Sequence, residues 1–141
     1  MKLSPILIML GVSLNCSIAS SASCPNWSPK FDAIKNPEVI REMRSRTDWD
    51  SLIEQSGGAS AVIAVAKSTI LDARSRLQDA KTVVTKLAAN ESVAQSGATW
   101  GQCKTAESAV MAAKCEVLNM QEVILSMEGT IDLATCRAAN R

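Results

Sequence analysis

Nucleophilic catalysis by serine or cysteine needs a base beside the attacking atom, and the chain contains no histidine. Ser–His and Cys–His arrangements are therefore excluded. Ser–Lys dyads remain formally possible, and Lys67-Ser68 is one, but adjacent residues of a helix point about 100° apart, so it reads as ordinary surface. Two carboxylate pairs, Glu116 with Glu122 and Asp72 with Asp79, could in principle do acid–base work; their surroundings read as solvated helix faces. Gly57-Gly58 lacks the lysine and the spacing of a phosphate-cradling loop. Asn90-Glu91-Ser92 and Asn26-Trp27-Ser28 match the glycosylation sequon, the second spoiled by Pro29. No catalytic residue, cofactor site or metal site is expected, and the chain reads as a non-enzyme.

The cysteines carry the chemistry that remains. Cys24, Cys103, Cys115 and Cys136 would persist after removal of an export signal that takes Cys16 with it. Four cysteines in an exported chain read as two disulfides with three connectivities. A zinc site fails on spacing, because no two of them stand two to four residues apart and no histidine can complete the set.

Residues 1–22 have the order of a secretory signal peptide: basic Met1-Lys2, an apolar run from Leu3 to Val12, then small residues ending at Ala22. The run is too short to cross about 30 Å of hydrocarbon, so no stable membrane span is expected. The full chain has 15 basic and 14 acidic side chains, and losing Lys2 leaves 14 of each. A neutral chain has no electrostatic reason to bind nucleic acid. The cluster Arg41, Arg44, Arg46 is answered by Glu38, Glu42, Asp48 and Asp50. Alanine richness and the plain signal point to a bacterial periplasm, or to secretion.

The elements that must position these residues are helical. Residues 23–141 read as one helical domain with an irregular lead-in over 23–35, where Pro25 and Pro29 forbid a regular helix. Two short helices occupy 36–56. Asn36-Pro37-Glu38 starts the first with a cap, a proline and an acid, and Asp48 caps the second. Ser56-Gly57-Gly58 ends it. Over 59–95 Ile63, Ile70, Leu77 and Val84 recur every seven residues, each followed three later by Ala66, Ala73, Ala80 and Leu87. The pattern returns over 102–128 with Cys103, Val110, Val117 and Ile124, followed by Ala106, Ala113, Met120 and Met127. Two long helices with a short connection pack as an antiparallel hairpin, and the alanines allow close approach. One register sets Ala66 against Met127, Ala73 against Met120 and Lys67 near Glu128.

The second helix also carries Met111, Leu118 and Leu125, a stripe that a two-helix seam does not need. Val62, Val65 and Leu71 are surplus on the first. Short N-terminal helices bearing Trp27, Phe31, Ile34, Val39, Ile40, Trp49, Leu52 and Ile53 are expected to cover both sets. A homodimer is the alternative cover. Trp27, Trp49 and Trp100 read as packing anchors at helix ends.

A straight helix over 102–136 would hold Cys103 and Cys136 about 50 Å apart, and Cys115 and Cys136 about 31 Å apart. A disulfide needs Cα atoms within about 7 Å. Two bridges then require a break, expected at Gly129-Thr130, with a short returning helix over 130–140. The pairing that follows is Cys115–Cys136 with Cys24–Cys103. In generic architecture such a hairpin resembles the small helical minor pilus subunits of conjugative secretion systems. The expectation is an exported accessory or adaptor component of a bacterial cell-envelope or conjugative assembly, with a protein partner and Met111, Leu118 and Leu125 as its candidate interaction stripe. The alternatives are a carrier of a small apolar ligand in the helical core and a membrane-active toxin.

Overall fold

A computed structural model describes residues 23–88 and 98–140. The signal-peptide reading and the Asn90 sequon lie outside them. The protein is all-helical, with no strand among the described residues. A 3-10 turn (Pro29–Ala33) is followed by α1 (Pro37–Ser45), α2 (Trp49–Gln55), α3 (Ala59–Ala88), α4 (Trp100–Cys103) and α5 (Ala109–Ala139). Ser28 caps the 3-10 turn, Asn36 caps α1 and Asp48 caps α2, each through its side-chain oxygen. Gly57 and Gly58 have φ of +100° and +98°. That left-handed pair reverses the chain between α2 and α3 where a side chain would be strained.

The long helices α3 and α5 form the hairpin. Ala66, Ala73 and Ala80 are buried along α3, one every two turns, together with Ile70; Met120 and Ala134 are buried on α5. Arg76 on α3 meets Glu116 on α5 at 2.8 Å across the hairpin. Lys67 and Glu128 line one cleft, but Glu128 pairs with Lys30 at 3.7 Å instead.

The core lies where α3 begins and α5 ends. Phe31 and Ile34 meet Met43 of α1, Trp49 and Ile53 of α2, Ala59 of α3, and Leu133 and Ala134 of α5. The Phe31 ring is fully buried. Trp27 approaches it edge-on at 5.2 Å, and Trp49 stacks on it at 6.0 Å. Val62 and Leu125 pack against this cluster, so part of the surplus apolar surface is covered as expected. Val65 and Leu71 are not: both remain largely exposed. The reason is facing: Val65 is only about 4.5 Å along the axis from covered Val62, and both exposed residues lie off the side of α3 that buries Ala66 and Ile70.

The expected break at Gly129-Thr130 does not occur; α5 passes through both residues as one helix. Thr130 does not cap a new helix. Its hydroxyl donates to the Ser126 carbonyl one turn back at 2.7 Å. Gly129 is instead a seat for Phe31. A Cβ there would fall inside contact distance of three ring carbons, two of them at 2.7 and 2.9 Å. The break lies earlier, over 104–108. Thr99 and Gln102 form a reciprocal capping box on α4, and Ser108 caps α5.

The disulfides differ accordingly. They join Cys24 to Cys136 and Cys103 to Cys115, with Cα separations of 5.7 and 5.6 Å. On a continuous α5, Cys115 and Cys136 are about 31 Å apart and cannot meet. The first bridge spans 112 residues and the second 12. In the chain-entropy account these constrain the unfolded chain by roughly 5 and 3 kcal/mol.

Gly129→Ala discriminates a seat from a helix defect. In an exposed helix this change stabilises by about 1 kcal/mol. Against Phe31 it should destabilise by about 1–3 kcal/mol, read as a lower midpoint in urea unfolding. An unchanged or higher midpoint would remove the seat.

Candidate interaction surface

Two of the three buried charged side chains on α5, Glu122 and Arg137, tie down the N-terminal half of the molecule. Glu122 is 7% exposed. Its carboxylate accepts from the backbone amides of Lys35 and Asn36, at 3.0 and 2.7 Å to Oε1, and from the Trp100 indole at 2.9 Å. Oε2 accepts from the same two amides at 3.1 and 3.3 Å. One acid therefore ties the segment leading into α1 and the start of α4 to the middle of α5. Amide and indole donors supply the stabilisation that water would give an exposed carboxylate.

Arg137 does the equivalent at the end of α5. Its guanidinium donates to the Pro25 carbonyl at 3.1 Å, the Leu133 carbonyl at 3.0 Å, Asn26 Oδ1 at 3.0 Å and the Asp50 carboxylate. The neighbouring Cys24–Cys136 bridge lies beside Asn140, whose amide donates to Cys24 Sγ at 3.2 Å. Between these two clamps the buried Ser28 hydroxyl donates to Asp132 at 3.0 Å.

The carboxylate pairs considered from sequence come apart. Glu116 faces α3 through Arg76, while Glu122 faces the N-terminal segment and α4. Asp72 and Asp79 are exposed on α3. Glu122 is not on a solvated face, contrary to the sequence reading. Among the described residues no three His, Cys, Asp or Glu side chains are grouped as a metal would need.

The surface left over is apolar in places. Met111, Leu118 and Leu125 are each half-buried, Leu125 against the core cluster. The exposed large apolar side chains are Leu52 of α2 and Val65, Leu71, Val83 and Leu87 of α3. Val83 and Leu87 are one turn apart and share a face. Val83 and Ala80 border a shallow cleft of about 450 Å³ shared with Ala109, Ala112 and Ala113 of α5 and lined also by Arg76, Asp79 and Glu116. A second cleft of similar volume lies nearer the core, between Lys67, Leu71 and Arg74 of α3 and Glu128, Ile131 and Asp132 of α5. Sequence reasoning named Leu71 as surplus but did not single out Val83 or Leu87. Their position outside the alanine seam was the available signal.

No family model, curated protein or solved structure matches the chain. Among the described residues no helix is long and apolar enough to cross a membrane. The two disulfides are compatible with a non-cytoplasmic location.

Glu122→Ala would leave the part-buried Lys35 and Asn36 amides and the Trp100 indole N–H without their acceptor. The expected cost is at least about 2 kcal/mol, with faster solvent exchange of the Trp100 indole proton in NMR. Glu122→Gln keeps one acceptor oxygen and should lose less. Wild-type stability and indole exchange in the alanine variant would show that the clamp contributes nothing.

Proposed function

We propose that the protein is an exported, non-enzymatic helical adaptor that works by protein–protein contact in a cell-envelope assembly, in the periplasm or outside the cell. The observation that carries this reading is the far end of the hairpin. There Val83 and Leu87 are exposed on α3, and Val83 borders a cleft lined by alanines together with Arg76, Asp79 and Glu116. Contiguous apolar surface on a rigid element marks a place where another protein docks.

Two further features support it. The disulfides staple both ends of α5, so the hairpin is presented as a preorganised surface, which lowers the ordering cost of binding. Two of the buried charges on α5, Glu122 and Arg137, are engaged in holding the fold together.

The test uses the full exported chain and its own host envelope. Val83→Asp with Leu87→Asp lies on exposed surface and should change stability by no more than about 0.5 kcal/mol per site. Crosslinking in intact envelopes should recover a defined partner with the wild-type chain and lose it with this variant. Recovery of the same partner by both chains, or of none by either, would overturn the reading.

A further inference from the structure

The two bridges are held in place differently. At Cys24–Cys136 the fold itself keeps the cysteines together. Arg137, next to Cys136, donates to the Pro25 carbonyl and to Asn26 Oδ1, which follow Cys24. Asn140 donates to Cys24 Sγ at 3.2 Å and to Cys136 Sγ at 3.8 Å. At Cys103–Cys115 one partner sits on α4, a single turn of four residues, none of them buried. The other sits in the second turn of α5. Besides the bridge, the Trp100 indole bond to Glu122 ties α4 to α5. Cys103 and half-buried Trp100 line a cleft of about 290 Å³, together with Arg41 and Lys104 against one acid, Glu38.

How strongly a disulfide resists reduction depends on how closely the reduced fold still holds its two thiols. Arg137 and Asn140 keep Cys24 beside Cys136 without the covalent bond. A four-residue turn with no buried side chain gives Cys103 far less restraint. Access differs too, because a surplus of positive charge attracts the thiolate, which is the attacking form.

We infer that Cys103–Cys115 is a thiol–disulfide exchange site, opened by a dithiol reductant that enters through this cleft, and that Cys24–Cys136 is the permanent fastening. The inference goes beyond the adaptor reading and does not need a partner protein. Cys103 lines the cleft, so its sulfur is the one attacked. The reductant's thiolate forms a bond to Cys103 Sγ. The Cys103–Cys115 bond breaks, and its electron pair leaves on Cys115 Sγ, which takes up a proton. The reductant's second thiol then loses its proton and attacks the reductant sulfur of the mixed disulfide, and Cys103 leaves as a thiolate that is protonated in turn. The reductant ends as a disulfide, oxidised by two electrons, and the protein ends with two thiols. With the bridge open, α4 comes away from α5 and Trp100 moves from Glu122 into solvent. The Lys35 and Asn36 amides still satisfy Glu122, so the N-terminal clamp outlasts the change.

The test incubates the oxidised full chain with graded dithiothreitol, quenches by alkylation and maps the modified cysteines by mass spectrometry. Cys103 and Cys115 should be alkylated at least about tenfold faster than Cys24 and Cys136. Arg41→Glu with Lys104→Glu should slow that reaction about threefold, less so in high salt, and leave the rate at Cys24–Cys136 unchanged. After the first bridge opens, the Trp100 indole proton should exchange faster with solvent in NMR. Cys103→Ser with Cys115→Ser should reproduce that exchange in a chain whose circular dichroism stays helical. Equal rates at the two bridges, or earlier opening of Cys24–Cys136, would overturn the inference. So would a wild-type rate in the charge variant, or indole exchange untouched by reduction. Loss of helical dichroism in the serine variant would overturn it as well, since opening would then unfold the molecule rather than free α4. None of these results bears on partner capture through Val83 and Leu87, so the two readings fail separately.

Discussion

The straightness of α5 constrains everything else in the molecule. A continuous helix of 31 residues extends about 46 Å. Cys115 sits near one end and Cys136 near the other, so neither can bond to the other, and each must find a partner on a different segment. Cys115 takes Cys103 on α4, and Cys136 takes Cys24 at the start of the described chain. The helix thus acts as a strut to which α4 is fastened at one end and the N-terminal segment at the other.

Each covalent fastening has a buried charge near it. Glu122, two turns after Cys115, receives the Trp100 indole of α4 as well as the Lys35 and Asn36 amides. Arg137, next to Cys136, donates to the Pro25 carbonyl and the Asn26 side-chain oxygen that follow Cys24. The division of labour is physical. A disulfide limits the conformations of the unfolded chain and holds two residues together. The hydrogen-bonded charge adds direction, because a carboxylate or guanidinium left unpaired in a buried place is costly. Phe31 on Gly129 completes the attachment between the two clamps. With the N-terminal layer committed to that end, the outer face of α3 is left to solvent.

The all-helical fold and the hairpin were legible because they rest on a repeated signal. Alanine or a branched residue recurs every seven positions through Ile63–Leu87, uninterrupted by proline or glycine, and that pattern has one inexpensive solution. The caps at Asn36 and Asp48 and the glycine pair at 57–58 were legible because each acts through its own backbone. The requirement for a break between cysteines was also legible from helix length alone. Its location was not. Gly129 is the conspicuous helix-weakening residue of that stretch, and its real use, admitting an aromatic ring from a segment nearly 100 residues away, leaves no local trace. The capping box Thr99–Gln102 and the cap Ser108 did carry a local signal for the true break. Glu122 was illegible for a similar reason: an acid on a long helix is ordinarily solvated, and its donors come from backbone amides and an indole that only the tertiary fold brings to it.

The central claim is that α5 is unbroken and that its two ends are fastened separately. Peptide mapping of the oxidised protein without reduction tests this most directly. The account predicts crosslinked peptides joining Cys24 to Cys136 and Cys103 to Cys115. A peptide joining Cys115 to Cys136 would contradict it, since no helix continuous through Gly129 can bring those sulfurs together.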